Sequence, residues 1–245
     1  MIKEAIQKIE EMVKEKLTVD VGGMTYSASN LKPVLFEPRP ATITVHNLRG
    51  FCGFITNDID KRIKNFPMLI VVDSPEQVTL LSEVKGDNLA REILIQAVLD
   101  NKLAEFPFGT FMSQEEFAIQ FRSLFVQKPN DDFDYVLSYT SKLVASTSVE
   151  GEDDGITQRV QIKKGASGVR VEGATLKPIV NLSPYRTFRE IEQVESQFLF
   201  RVRVGNDGIP LVALFEADGG AWVNEATERC VNYIKSMVSD IPVIA

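Results

Sequence analysis

Asp73 closes an apolar run, and ten residues later Glu83-Val84-Lys85 closes another. Two carboxylates on neighbouring strand ends, followed by a lysine, form the metal-binding core of many phage nucleases. The carboxylates hold Mg²⁺, and the lysine stabilises developing charge or activates water. That chemistry requires Asp73 and Glu83 to project to one side at adjacent strand ends. The opposing reading makes Lys85-Gly86-Asp87-Asn88 a plain polar turn after an exposed edge. Little else in the chain has the residue types for catalysis. His46 is the single histidine, so a Ser-His-Asp set has no spare partners and a His-rich metal site is excluded. Cys52 and Cys230 stand alone, without the paired spacing of zinc sites, and read as buried free thiols. Neither glycine-rich nucleotide-binding loop is present. Asp58 with Asp60, Asp131-Asp132 and Asp153-Asp154 fall at helix ends or loops, where caps and solvated carboxylates belong. No cofactor and no further metal site is expected.

Charge is distributed more informatively. The 245 residues carry a formal charge of -7, with a pI near 5.0, which argues against a coat of basic charge for duplex DNA. Between Arg159 and Arg203, however, nine Lys/Arg meet four acids, so that segment is +5 and the remainder -12. The candidate binding residues are Lys163, Lys164, Arg170, Arg186, Arg189, Arg201 and Arg203, on expected strands and their connections. Arg201 and Arg203 are two apart and share a strand face, opposite Phe200, Val202 and Val204. Tyr185 and Phe188 interleave with Arg186 and Arg189. A basic sheet face with aromatics suits single-stranded nucleic acid by stacking and phosphate contact. It equally suits an acidic face of another subunit, and it is also what an ordinary solvated strand face balanced by Glu190, Glu192 and Glu195 looks like.

The elements that must position these groups read as a mixed order. Ile2, Ile6, Ile9, Val13 and Leu17 form an amphipathic opening helix, and Gly22-Gly23 turns a hairpin. Asn30 to Pro40, with three prolines, is an extended connector. Ala41 to His46 is a strand, and Asn47 caps a helix with the stripe Leu48, Phe51, Phe54, Ile55 and Ile59. Met68 to Val72, Gln77 to Val84 and Glu92 to Leu99 follow as strands, the last with a helical alternative. Ser113-Gln114-Glu115-Glu116 is a capping box for a helix carrying Phe117, Ile119, Phe121, Leu124 and Phe125. Asp131 and Asp132 open another helix, and the acidic stretch Glu150 to Gly155 reads as a boundary or exposed loop. Ile156 to Lys164, Gly168 to Gly173 and Leu176 to Leu182 are strands, and Gly205-Asn206-Asp207-Gly208 turns a hairpin between Phe198–Val204 and Ile209–Phe215. A last helix follows Gly219-Gly220. Regular β-α-β alternation is absent. The class is α+β, with mainly antiparallel sheets, packing helices and a β-rich C-terminal half closed by a helix. Residues 1–150 and 151–245 form two parts or one continuous domain.

Several stretches also carry a resemblance. They are Ala97-Val98-Leu99-Asp100, Phe111-Met112-Ser113-Gln114-Glu115-Glu116-Phe117-Ala118, the helix from Tyr135 to Ser146, and Phe198-Leu199-Phe200-Arg201-Val202-Arg203-Val204. With the strand and phenylalanine-bearing helix from Ile43 to Ile55, they resemble the YfdQ-like proteins of phages and prophages, over residues 35–238. The resemblance implies a phage genome, often near replication and recombination genes, and no mechanism. No stretch reaches the ~20 apolar residues of a membrane span, and the N-terminus lacks a signal-peptide core, so a cytoplasmic location without a membrane partner is expected. The leading expectation is a non-enzymatic phage accessory protein that binds, as a homo-oligomer or to a phage or host protein. The rivals are a DNA replication or recombination accessory protein contacting single strands, a Mg²⁺-dependent nuclease, and an inhibitor of a host defence system.

Overall fold

A computed structural model describes residues 2–27, 40–86, 89–100, 105–143, 148–153, 158–163, 176–206 and 209–245. Residues 1–41 form one compact unit and 42–245 another. The first holds helix α1 (Ile2–Leu17) and the antiparallel hairpin of β1 (Thr18–Val21) and β2 (Met24–Ser27). Gly22 and Gly23 turn that hairpin at φ 61° and 82°, the doubly left-handed geometry that two glycines permit. The expected connector from Asn30 falls outside the described residues up to Pro40.

The second unit contains two five-stranded sheets. The first comprises β3 (Ile43–Val45), β4 (Leu69–Ser74), β5 (Gln77–Leu81) and β6 (Ile93–Val98), joined by a strand from the far end of the chain. Helix α2 (Leu48–Asn57) packs on it. Asn47 caps α2 as its type and position require, its side chain accepting from the Gly50 N–H at 2.6 Å. The helix stops at Asp58, left-handed at φ 44°, and its carboxylate accepts from the Ile63 N–H. Ile59 therefore leaves the helical stripe and is exposed. Glu92 to Leu99 takes the strand alternative, pairing with β5 on one side and β3 on the other.

Five further elements follow: β7 (Met112–Ser113), α3 (Gln114–Leu124), β8 (Phe125–Val126), α4 (Phe133–Lys142) and β9 (Ser148–Asp153). Glu150 to Asp153 is thus strand, not loop, because it pairs in register with β10 (Gln158–Lys163). The expected strand Gly168 to Gly173 lies outside the described residues. Next come β11 (Ile179–Pro184), β12 (Ser196–Val204) and β13 (Pro210–Glu216). The second sheet has the order β7-β13-β12-β11-β8 and is antiparallel throughout. Helices α3 and α4 cover one of its faces over a core built on phenylalanine. There Phe121 lies 4.6 Å from Phe125 and 4.8 Å from Phe133. Ser113 caps α3 by accepting from the Glu116 N–H. Ile119 points away from that core, because it sits ~200° round the helix from Phe117. Asp132 ties α4 to β11 by accepting from the Lys177 ammonium at 2.6 Å and the Asn181 N–H at 2.8 Å.

Helix α5 (Ala221–Met237) and β14 (Val243–Ile244) complete the chain order. Cys230, Ile234 and Val238 join the first sheet's core, and β14 runs parallel to β4 at that sheet's edge. Both five-stranded sheets therefore draw strands from each side of residue 150. The architecture is α+β with mostly antiparallel sheets. Among the described residues no helix is long and apolar enough to cross a membrane.

Candidate binding surfaces

The hairpin register decides the carboxylate arrangement. Val71 pairs with Thr79 and Ser74 with Gln77, so Asp73 sits in the irregular step at the turn, where it accepts from the Thr79 hydroxyl at 2.7 Å. Glu83 follows the opposite end of β5, four residues past Thr79, which places it roughly 13 Å along the chain at strand rise. A shared divalent cation needs its oxygens within about 2.6 Å. The fold brings Glu83 and Lys85 together, at 3.6 Å, and leaves Asp73 at the other end. Lys85 also lies 4.7 Å over the Phe66 ring. The two strand ends are adjacent in sequence but not in space, because an antiparallel hairpin puts only the turn-side ends together.

The basic residues are sorted rather than gathered. Lys164 and Arg170 lie outside the described residues; Lys163 ends β10, and its side chain is likewise outside them. The decisive segment is Tyr185 to Ile191, which leaves β11 and wedges between the two cores. Phe188 and Ile191 enter the first sheet's core, and the Thr187 hydroxyl donates to the Pro75 carbonyl. Arg186 turns the other way. Its guanidinium carbon lies 4.8 Å from the Phe108 ring, 5.0 Å from Phe198 and 4.7 Å from Trp222. Its Nη1 is 2.9 Å from Glu216 Oε1, out of line for a hydrogen bond, and the side chain is 11% exposed. Burial lowers its pKa, and Glu216 and Asp218 oppose that by favouring the cation. Arg186 is thus an internal strut, pinning the end of β13 and the start of α5 to the Phe108 loop, and is not a surface charge.

Tyr185 and Arg189 remain outside, with the guanidinium stacked 3.5 Å from the Tyr185 ring centre. They line a cleft of about 440 Å³, with Glu76, Asp100, Glu105 and Trp222 among its other walls. Burial, and then Glu105, push the Glu76 carboxyl above the usual carboxylate range. The cleft's lining combines the acids Glu76, Asp100, Glu105 and Glu216 with the stacked Arg189 and aromatic rings. No Ser, Cys, Thr, Lys or His is among the described residues that line it, and its polar groups are carboxylates, Tyr185 and two arginines. A wider, shallower groove of about 760 Å³ lies between Ile63–Met68 and Met237–Pro242. Phe106, Phe108 and Trp222 also line the cleft and were not singled out by type or position in the sequence. Nothing in their spacing shows that they converge.

Arg201 and Arg203 alternate with buried neighbours as their spacing requires. Phe200 and Val202 are buried against α3 and α4, and Arg203 is exposed on the other face. That outer face is not simply polar. Register places Ile179, Leu199 and Phe215 in one row across it and Arg203 beside Leu211. Arg203 lies 4.0 Å over Phe111, which meets Phe215 edge-on at 5.8 Å. The pair stands at the far end of β12 from Tyr185 and Arg189, roughly 23 Å of strand away.

The remaining singled-out residues have structural surroundings. His46 Nδ1 donates to the Val98 carbonyl at 2.9 Å, stitching the end of β3 to β6. Cys52 and Cys230 are buried free thiols, and burial, with Glu190 adding to it, pushes Cys52 up to about 11. The chain matches no protein-family model, no curated protein and no solved structure.

Proposed function

We propose that this is a non-enzymatic accessory protein of a phage or prophage that acts by binding, as a homo-oligomer. The outer face of the second sheet carries the reading. Arg203 stacks on Phe111 beside Phe215, on a face where Ile179 is 45% exposed and Leu199 and Leu211 are half-buried. Arginine and aromatic anchors surrounded by partly exposed aliphatics are the composition of protein interface hot spots. Arg201 and Arg203 on that face, in a chain of net charge -7, favour an acidic protein surface as partner, on another copy or on a phage or host protein. Light scattering at low and high salt tests it with the Arg201→Ala/Arg203→Ala variant. The expected result is an assembly that weakens with salt and in the variant. A salt-insensitive monomer that retains no partner would count against it.

A second reading is contact with single-stranded nucleic acid, favoured by the two stacked guanidinium–ring pairs, Arg203 on Phe111 and Arg189 on Tyr185. Filter binding of a labelled oligonucleotide separates the two. Affinity that drops in the same double variant supports the second reading, and absent or unchanged binding removes it.

A further inference from the structure

The apolar stripe of α1 has no cover among the described residues of its own unit. Ile6, Ile9, Met12, Val13 and Leu17 are each between 48 and 60% exposed, and the hairpin beside them leaves Val19 and Val21 exposed as well. Isolated aliphatic side chains in solvent are ordinary; a continuous stripe along a 16-residue helix is not. We infer that α1 is a self-association element, its stripe packed against the same stripe of a second copy of this chain. The inference rests on the reading that the chain is a homo-oligomer, and it adds α1 as a self-contact beside the basic sheet face.

Three observations select a second copy as the occupant. The first is pattern. Ile2, Ile6, Ile9 and Val13 recur at alternating steps of four and three, which is the seam of a coiled coil, and β-branched residues fill every one of those positions. The second is charge. The helix holds four lysines and four glutamates, so two copies meet without net repulsion although each whole chain is -7. The same balance disfavours an anionic membrane surface, for which an amphipathic helix presents a lysine- and arginine-rich polar face. The third is area. The five exposed side chains present on the order of 500 Å² per copy, in the upper part of the range of roughly 300–600 Å² in which a largest apolar patch is often functional. Two such stripes together bury about 1,000 Å², the threshold for a specific interface. A self-complementary patch of this kind closes with two-fold symmetry and leaves no open surface for further growth.

Full-length protein decides the matter by size-exclusion chromatography with light scattering at tens of micromolar. Wild type is expected at a multiple of 27.4 kDa, and Ile9→Glu/Val13→Glu at a smaller mass. Ile119→Glu is the control, since Ile119 is equally exposed, at 61%, on a helix of the other unit; it is expected to keep the wild-type mass. A wild-type monomer would overturn both this inference and the homo-oligomer reading. A wild-type oligomer whose α1 variant keeps its mass would overturn this inference alone, and loss of mass in the Arg201→Ala/Arg203→Ala variant would then place the contact on the sheet. Should the glutamate variant fail to fold, Ile9→Cys gives an independent answer, because both native thiols are buried. Mild oxidation is expected to yield a cross-linked dimer with Ile9→Cys and not with Lys8→Cys. Equal cross-linking of the two, or none, overturns the assignment.

Discussion

Replacing Arg186 by alanine tests whether the segment between the two cores is held as described. Three contributions oppose the change. Losing two buried methylenes costs about 1.6 kcal/mol. Losing a desolvated cation against the rings of Phe108, Phe198 and Trp222 costs about 2 kcal/mol. The ion pair adds roughly 0.5 kcal/mol, because Glu216 is 46% exposed and rehydrates once alone. Relief of the buried charge returns about 1 kcal/mol, the direction its lowered pKa requires. The net expectation is a loss of about 3 kcal/mol, or ~6–12 °C in Tm for a unit of this size. Arg186→Met keeps the stem and lays a thioether on the rings, so it should lose about 1 kcal/mol or less. Equilibrium urea unfolding followed by circular dichroism and Trp222 fluorescence measures both. An alanine loss below about 1 kcal/mol, or equal losses for the two variants, would refute the account in which Arg186 holds this segment by its stem and its contact with the rings.

Other consequences are equally checkable. Asp132→Ala strips the partner of the Lys177 ammonium and the Asn181 N–H, and should cost about 2 kcal/mol in the same assay; a neutral result would mean that α4 is held by its phenylalanines alone. Asn47→Ala removes the α2 cap, with an expected loss of about 1 kcal/mol that Asn47→Ser largely restores. The folded chain keeps the Cys52 proton up to about pH 11, whereas an ordinary thiol loses it near 9.0. The native state thus holds more protons in that window, so the contribution is fully present below pH 9 and is lost as pH rises toward 11. Unfolding free energy measured across that range should fall less steeply in Cys52→Ala, and an identical slope would contradict the burial.

Local chemistry made several elements legible. Gly22-Gly23 turns where two positive φ angles are needed, Asn47 and Ser113 accept from the backbone three residues on, and Arg201 and Arg203 alternate with buried Phe200 and Val202. Each of those readings depends on neighbours within a few residues. The Asp73 and Glu83 arrangement failed to assemble for the same reason that the strands themselves were readable. Alternation specifies which face a residue takes and says nothing of which end of a hairpin it meets. The fate of Arg186 was hidden more deeply. Phe108, Phe198, Glu216 and Trp222 come from four separate places in the chain, and only tertiary packing turns a residue of a basic segment into an internal strut. Ile119 shows a smaller version: a hydrophobic type in a helix does not choose its own side of the cylinder.

The edge of the first sheet has a consequence for how the protein is made. Strands β4 to β6 are complete by Val98, but the parallel strand that pairs with β4 starts at Val243, and the carbonyl accepting from the Ile70 N–H belongs to Pro242. At ~5–20 residues per second a ribosome needs roughly 7–30 s to cover those 145 residues. Over that interval the second sheet's strands and both its helices emerge complete, while the earlier sheet waits with the β4 edge and the binding places of Cys230 and Ile234 open. Birth order and closing order are therefore inverted: the later-made core is the first able to shut. A chain released at residue 220 is expected to protect α3, α4 and β11 to β13 from brief proteolysis and to leave β4 to β6 cleavable, with the unpaired β4 edge exposed to strand pairing by other nascent chains.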